Sequence, residues 1–414
     1  MQRKDLWAIL LSMFVMMMGY GVTLPVLPFH IERMALSEVS SVKEVPFHVG
    51  ALTGIYALMQ FFFAPLWGKF SDRVGRRPVF AMGLVGFSIF MVFFGLVEKL
   101  WLLYGSRILS GAFSAAVLPV ANAYVSDITT EKDRGRAMAW LGSSISLGIV
   151  AGPVLGAFLS QFDFQISGRF WNLNISGFSI PFFAASLLSI IALGVTMSVL
   201  RESIDSGRKM PNKAPVPSKG QTKSSLGTWF IPLNFGSLLV MAFVSQFALA
   251  AFEGTFALHA KRTSQFGILE MGWVFVVCGS VMAGAQAIFA GPLMERHGEK
   301  RLLSTGFLLM AGGLVMLMTT QAMPFIMAYV ALLAFGVALI IPSLATLASK
   351  HRGNHSGAAM GQLTAANNLG QAVGPALAGA LLAKNIHTPY LLVASILFLT
   401  AFYSIIGNSL CKRS

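Results

Sequence analysis

Charge is what this sequence has least of: only 11% of its 414 residues are Asp, Glu, Lys or Arg, against roughly 25% in a soluble globular chain. A surface so poor in charge does not hold a chain of this length in water, which excludes a soluble enzyme or binding module. Cysteine is scarcer still. Cys278 lies in an apolar run and Cys411 in the C-terminal tail, with no metal-ligand spacing around them, so neither a disulfide nor a metal site is expected. No nucleophile and base pairing or phosphate-cradling loop lies within or beside the apolar runs, so the chain is not read as an enzyme, and no cofactor is expected. The longest polar segment, 201–227, is too short for the soluble output domain of a sensor.

What the sequence has in abundance is apolar residues, 55% of the chain with 34 Phe and a mean hydropathy of +0.71. They fall into runs of about 20 residues, the length at which an α-helix crosses ~30 Å of hydrocarbon. Twelve such spans are read, near 6–29, 50–68, 78–97, 100–125, 137–160, 177–200, 228–259, 271–292, 302–321, 325–348, 358–383 and 389–409. The first follows Arg3 and Lys4 as a signal peptide would, but its length and the Pro25 and Pro28 near its end fit a retained helix better. The fold class is therefore an all-α membrane protein.

The formal net charge of +14 invites a nucleic-acid reading, which the placement of the charges opposes. An even number of spans puts both termini on one side. Of the 30 Lys and Arg, 22 lie on that side, while Arg33, Lys43, Lys99, Arg169, Lys261, Arg262 and Lys384 lie opposite and Arg107 lies inside a span. Such an excess in short loops marks the cytoplasmic side. The chain is expected in the plasma membrane, multi-pass, with both termini cytoplasmic and the bilayer, rather than nucleic acid, as its partner.

Residues 201–227, rich in Lys, Ser and Pro, read as a flexible linker. They divide the chain into a first six-helix half, 1–200, and a second, 228–414. The halves share motifs. Gly68, Asp72, Arg73 and Gly75 of GKFSDRVGRR recur, all at one offset, as Gly291, Glu295, Arg296 and Gly298. Gly148, Gly152 and Pro153 recur at almost the same offset as Gly370, Gly374 and Pro375. Such agreement between two motifs indicates a repeat, of the kind that places a substrate site near the bilayer midplane between halves.

In the first loop, glycines permit a tight turn, Asp72 is placed to pair with an arginine, and Arg73, Arg76 and Arg77 hold the loop at the basic surface. A plain basic retention loop describes the same residues. In SLGIVAGPVLGA, Gly148, Gly152 and Gly156 line one helical face, which lets another helix approach while Pro153 bends the axis; a packing face describes that spacing equally. On these motifs the chain resembles the major facilitator superfamily, and within it the twelve-span drug/proton antiporters, including the Gram-positive multidrug efflux pumps. The loop matches the superfamily signature G-x-x-x-D-R-x-G-R-R/K at Gly68, Asp72, Arg73, Gly75, Arg76 and Arg77, which implies a gating role on the cytoplasmic side. The second copy departs from it, with Glu295 for Asp and Glu299 in place of Arg76. Gly148, Gly152, Pro153 and Gly156 resemble the antiporter motif G-x-x-x-G-P-x-x-G, which implies export. The Pro25 and Pro28 of GYGVTLPVLPF resemble a further element of the group, although prolines there also suit a helix end.

Two charges stand inside the spans. Arg107 lies about seven residues, or ~10 Å, inside the outer boundary, a placement that is costly unless it faces protein or water, or snorkels. Arg107 followed by Gly111 resembles the family's R-x-x-x-G element, which implies proton coupling. Glu253, in FALAAFEGTFAL, is the acidic residue well inside an apolar run. Burial disfavours a charged carboxylate, which suits a group that takes up a proton on one side and releases it on the other. A cation entering the cavity would compete with that proton; a structural glutamate bonded to a neighbouring helix is the other account. The context also resembles the span-seven acidic site of Gram-positive pumps. Relatives that carry Asp and Arg on span ten differ from this chain, which has Ala338 and Ile341.

Polar or aromatic residues in apolar spans complete the candidates: Tyr56, Gln60, Asn122, Gln246, Phe252, Phe256, Asn368 and Gln371 line the expected cavity, or bond neighbouring helices. His259 is read as interfacial. The expected function is proton-coupled antiport of small amphipathic or cationic compounds by a monomer whose halves rock about the cavity. Export of a lipid or glycolipid, or of one substrate such as tetracycline or a sugar, is the alternative.

Overall fold

The structure, a computed structural model, describes residues 3–38, 44–97, 99–162, 164–168, 171–175, 177–202, 235–352 and 356–410. Most of the expected linker, Lys43, Arg169 and Cys411 lie outside them. The first half holds α1 (Arg3–Glu38), α2 (Val45–Val74), α3 (Arg76–Leu96), α4 (Leu100–Ser114), α5 (Val117–Ile128), α6 (Glu131–Leu159) and α7 (Ile180–Val199). The second holds α8 (Phe235–Ser264), α9 (Ile268–Ala285), α10 (Gly291–His297), α11 (Glu299–Met316), α12 (Met323–Arg352), α13 (Ser356–Lys384) and α14 (Thr388–Leu410). The pairs α4–α5 and α9–α10 are each one interrupted crossing, so the described residues form twelve crossings, six on either side of the expected linker.

Both interruptions have a proline cause. Pro119 has no N–H for the Ala115 carbonyl, and α4 ends at Ser114, just before it. Pro292 likewise leaves the Ile288 carbonyl without its partner, and Gln286–Ala290 forms a π-helical turn between α9 and α10. Pro25 and Pro28 behave otherwise. The sequence suggested a helix ending near them, yet α1 continues through both to Glu38, because Val22, Val26 and Ile31 are fully buried against neighbouring helices and hold the axis in place. A short antiparallel hairpin, Phe164–Gly168 with Trp171–Ile175, joins α6 to α7 outside the crossings; the apolar pattern did not foreshadow it.

Ten crossings are long and apolar enough to span a membrane on their own. The other two are α11, which opens with Glu299, Lys300 and Arg301, and α13, whose Gly, Ala, Asn and Gln content makes it a packing helix. Large apolar side chains cover the outside, among them Leu399 at 70%, Trp101 at 67% and Phe402 at 63% exposure. Such a surface is unstable in water and suits hydrocarbon.

The glycine repeat recurs as a packing repeat. A Cβ on Gly152 would fall onto the Met18 carbonyl and Gly21, and Gly148 and Gly156 also press on α1, at Phe14 and Val22. Gly370 and Gly374 of α13 press in the same way on Phe243 and Phe247 of α8. Each small-residue face therefore first seats a helix of its own half. Pro153 sits where three helices converge, with its ring against Gly21 of α1 and its carbonyl facing Gly272 of α9.

Between halves, α2 meets α13 where Gly50 and Gly54 lie on Pro375 and Ala372, and α6 meets α9 where Gly272 and Gly279 lie on Ala157 and Val150. These approaches all occupy the part of the bundle away from the termini, here the far face. Towards the termini face, Gly68, Gly142, Gly284, Gly291 and Gly361 have no side-chain or neighbouring-helix atom within 4 Å of an added Cβ. Along α2 the side chains change from buried at Val45, Val49 and Leu52 to exposed at Phe62, Leu66 and Phe70. The halves close at the far face and diverge towards the termini.

Candidate functional site

Arg107 and Glu253, which the sequence places in different halves, line one cavity together with Tyr20, Thr23, Thr53 and Tyr56. Four helices build it: α1 brings Tyr20, α2 Tyr56, α4 Arg107 and α8 Glu253. Three belong to the first half and α8 to the second, so the cavity lies on the boundary between them.

Arg107 is 3% exposed. Its guanidinium carbon stands 4.5 Å from the Phe94 ring centroid and 5.3 Å from that of Tyr56. Two aromatic faces offer a cation on the order of 0.5–2 kcal/mol each, less than the cost of burying it. Its Nε has no hydrogen-bond partner among the described residues. The guanidinium is thus kept from snorkelling by its own packing. Glu253 is half-buried. The Tyr20 hydroxyl donates to its Oε2 at 3.5 Å, and the Tyr20 ring stacks on Tyr56 at 6.2 Å and 26°. A row of contacts therefore runs from Glu253 through Tyr20 and Tyr56 to Arg107.

The remaining cavity candidates separate. Tyr56 lines the cavity. Gln60 donates to Ser114 Oγ at 3.3 Å, inside the first half. Gln371 donates to Gln246 Oε1 at 3.0 Å, which joins α13 to α8 inside the second. Asn122 is exposed and bonds the Leu118 carbonyl of its own helix, and Asn368 is half-buried. Phe252 and Phe256, each 1% exposed, pack on one another and on Phe275 and His259 rather than on the cavity. Aromatic walls come from Tyr20 and Tyr56 instead. Ala338 is fully buried and Ile341 packs on the core, so span ten brings no charge here.

The loop between α2 and α3 is held by a dense polar network. Arg76, 8% exposed, pairs with Asp72 at 2.7 Å and Asp127 at 3.2 Å and donates to Ser71 Oγ at 2.6 Å. Gly75 turns the chain at φ +110°, and Gly68 lies one turn before Ser71, whose hydroxyl donates to its carbonyl. Arg77 donates to the Met197 carbonyl, while Arg73 is exposed. Glu202, just past α7, accepts the backbone N–H groups of Arg76 and Arg77 at 2.7 and 3.2 Å, capping α3 with an anion at its positive end. Only a partner distant in sequence creates that cap, so local patterning did not reveal it.

The second copy resolves its own departure. Glu299, at the place of Arg76, pairs with Lys350, and Lys350 stands at the place that Asp127 holds in the first half. The ion pair is retained with its polarity reversed, and the Lys350 ammonium holds the Glu299 carboxyl below the usual carboxylate range. Gly298 turns at φ +79°. At the far face a further ion pair, Lys261 Nζ to Glu32 Oε2 at 2.6 Å, joins α8 to α1 across the halves, with Lys261 over the Phe29 ring.

A family model described as Major Facilitator Superfamily matches residues 9–290 and 238–407. Multidrug resistance protein 2 of Bacillus subtilis is 30% identical over 94% of this chain and 92% of its own. Tetracycline resistance protein, class B, of Escherichia coli is 30% identical over 87% of this chain and 84% of its own. Among solved structures, a bacterial homologue of the human lysosomal transporter Spinster, in an inward-facing and unoccupied conformation, aligns with a TM-score of 0.76 over 99% of this chain and 98% of its own. At 17% identity that likeness is one of fold.

Proposed function

This chain belongs to the Major Facilitator Superfamily, an integral membrane transporter by kinship and by its apolar surface, and on that premise we propose that it exports small amphipathic or cationic compounds in exchange for protons. The observation that carries the reading is the cavity at the boundary of the halves, where Glu253 and Arg107 both face whatever enters. Relatives named for multidrug and tetracycline resistance support export.

Glu253 is the proton carrier in this reading. Its carboxylate takes either a proton or the positive end of a substrate, so each displaces the other. Tyr20 and Tyr56 offer flat apolar surface to the remainder of the compound. Arg107, fixed under the Tyr56 and Phe94 rings, is the cation of the same cavity. Alternating access follows from rocking of the two halves about this site. With the basic loops at the cytoplasm of the plasma membrane, the structure corresponds to the cytoplasm-open state. The loop signature, with its Arg76 network, then holds the mobile face of the first half, and the Gly148, Gly152, Pro153 and Gly156 surface keeps α6 rigid on α1. One chain contains both halves and acts as a monomer. Proton entry supplies ~2.3 kcal/mol per charge per 100 mV.

The test is uptake of a fluorescent lipophilic cation into inside-out proteoliposomes. Uptake under an imposed proton gradient that an uncoupler collapses is the expected result; uptake indifferent to the gradient contradicts proton coupling. Tetracycline resistance proteins as relatives favour a second reading, a pump dedicated to one substrate. Competition among chemically unrelated compounds for the same uptake separates the two, since a dedicated pump is inhibited by one class alone.

A further inference from the structure

Tyr20 lies on α1 of the first half and Glu253 on α8 of the second, and the hydroxyl of one donates to the carboxylate of the other. The stack on Tyr56 fixes the Tyr20 ring, so the hydroxyl is aimed rather than free to follow the carboxylate. The other titratable groups around Glu253 are Tyr56 on α2, Arg107 on α4 and Cys278 on α9, and His259 lies further along its own helix. Among these, the bond from Tyr20 is the direct tie between the cavity carboxylate and the opposite half.

We propose that Tyr20 is the positioning residue that prevents the empty carrier from alternating, by holding the ionised, unoccupied Glu253 against the first half. The proposal rests on the reading of Glu253 as the proton carrier and adds what that reading lacks, a reason why exchange is obligatory. An ionised carboxylate is a far better acceptor than a neutral carboxyl group. When Glu253 is charged and unoccupied, the hydroxyl bond ties α1 to α8 and the far face stays closed. A proton on the carboxyl group weakens the bond. A substrate cation competes for the same oxygens and pushes the hydroxyl aside. Either event frees the halves to separate at the far face, and the carrier moves only when loaded with one or the other.

Tyr20→Phe removes the donor and keeps the ring stack, which makes it the discriminating substitution. Spin labels replacing the exposed Trp101 and Thr319, one on each half towards the far face, report far-face opening when Cys278 and Cys411 are replaced. Without substrate, the parent protein is expected to show a closed far face at high pH and a growing open population as pH falls. Tyr20→Phe is expected to shift the open-to-closed ratio at high pH by about tenfold, the scale of a hydrogen bond to a charged group, and to approach the parent at low pH. Substrate flux without a proton gradient should rise in the same variant.

A Tyr20→Phe protein whose distances titrate like the parent's overturns the role of Tyr20. Glu253→Gln separates the two layers. A Glu253→Gln protein with no remaining pH response, beside an unaltered Tyr20→Phe, leaves the proton carrier standing and removes only the lock. Glu253→Gln titrating like the parent removes both.

Discussion

The two halves share one plan and use opposite electrostatics. In the first, a buried arginine is the hub of the loop: Arg76 holds Asp72, Asp127 and Ser71, and Glu202 caps the helix that follows. In the second, a half-buried glutamate and an exposed lysine meet at the corresponding positions as a single pair, and Glu295 and Arg296 face outward. The same division holds in the cavity, where the first half supplies the cation Arg107 and the second the carboxylate Glu253. The repeat therefore preserves positions rather than charges. What it transmits is geometry, and each half has used the geometry for a different electrostatic task.

The largest effect expected from breaking this contrast comes at Arg76. Arg76→Ala leaves two carboxylates without their cation and should lower stability by on the order of 2–3 kcal/mol, below a fully buried pair because both carboxylates are about a third exposed. Thermal unfolding in detergent measures it, and a change no larger than that of Lys350→Ala would erase the distinction between the loops.

The glycines come next. Gly75 and Gly298 both occupy backbone space that only glycine enters without strain, worth roughly 1–3 kcal/mol. At Gly75 an added Cβ also meets the Glu202 carboxylate at 2.6 Å, whereas at Gly298 it meets open space. Gly75→Ala is therefore expected to unfold at a lower temperature than Gly298→Ala, and the difference should vanish in a Glu202→Ala background.

The reversed pair gives a smaller effect. Exchanging its polarity with Glu299→Lys and Lys350→Glu should restore what either single change costs, about 0.2–1 kcal/mol for a pair with an exposed lysine. A double-mutant cycle reads it. Because Glu299 titrates below an ordinary carboxylate, the contribution is full above pH ~4 and is lost as pH falls through the folded-state value. The far-face pair is the weakest tie. Glu32→Gln leaves Lys261 41% exposed to water, so stability should barely change, while reagents gain access to cysteines placed at the far ends of α1 and α8.

The periodic features of this architecture were legible in the sequence because hydrocarbon imposes them. Long apolar runs gave the crossings, and glycine spacing marked the faces of α6 and α13 on which neighbouring helices pack. Arg107 and Glu253 were legible for the converse reason, since a charge in an apolar run stands out. Tyr20 did not, because a tyrosine is ordinary there and its meaning comes from a carboxylate on a distant helix. Phe252 and Phe256, expected to line the cavity, pack instead on one another and on Phe275 and His259, partners on α8 and a separate helix that no local pattern reveals. The continuation of α1 past Pro28 depends on tertiary packing that no local pattern carries. Glu299 looked like a defect of the motif until the fold brought Lys350 to it.

In the proposed exchange a proton and a substrate cation compete for Glu253. Proton release on substrate binding tests it most directly, with the solubilised protein in weakly buffered solution at a pH where the site is protonated. Adding the transported cation should release protons from the parent protein and none from Glu253→Gln. Equal release from both would contradict the account.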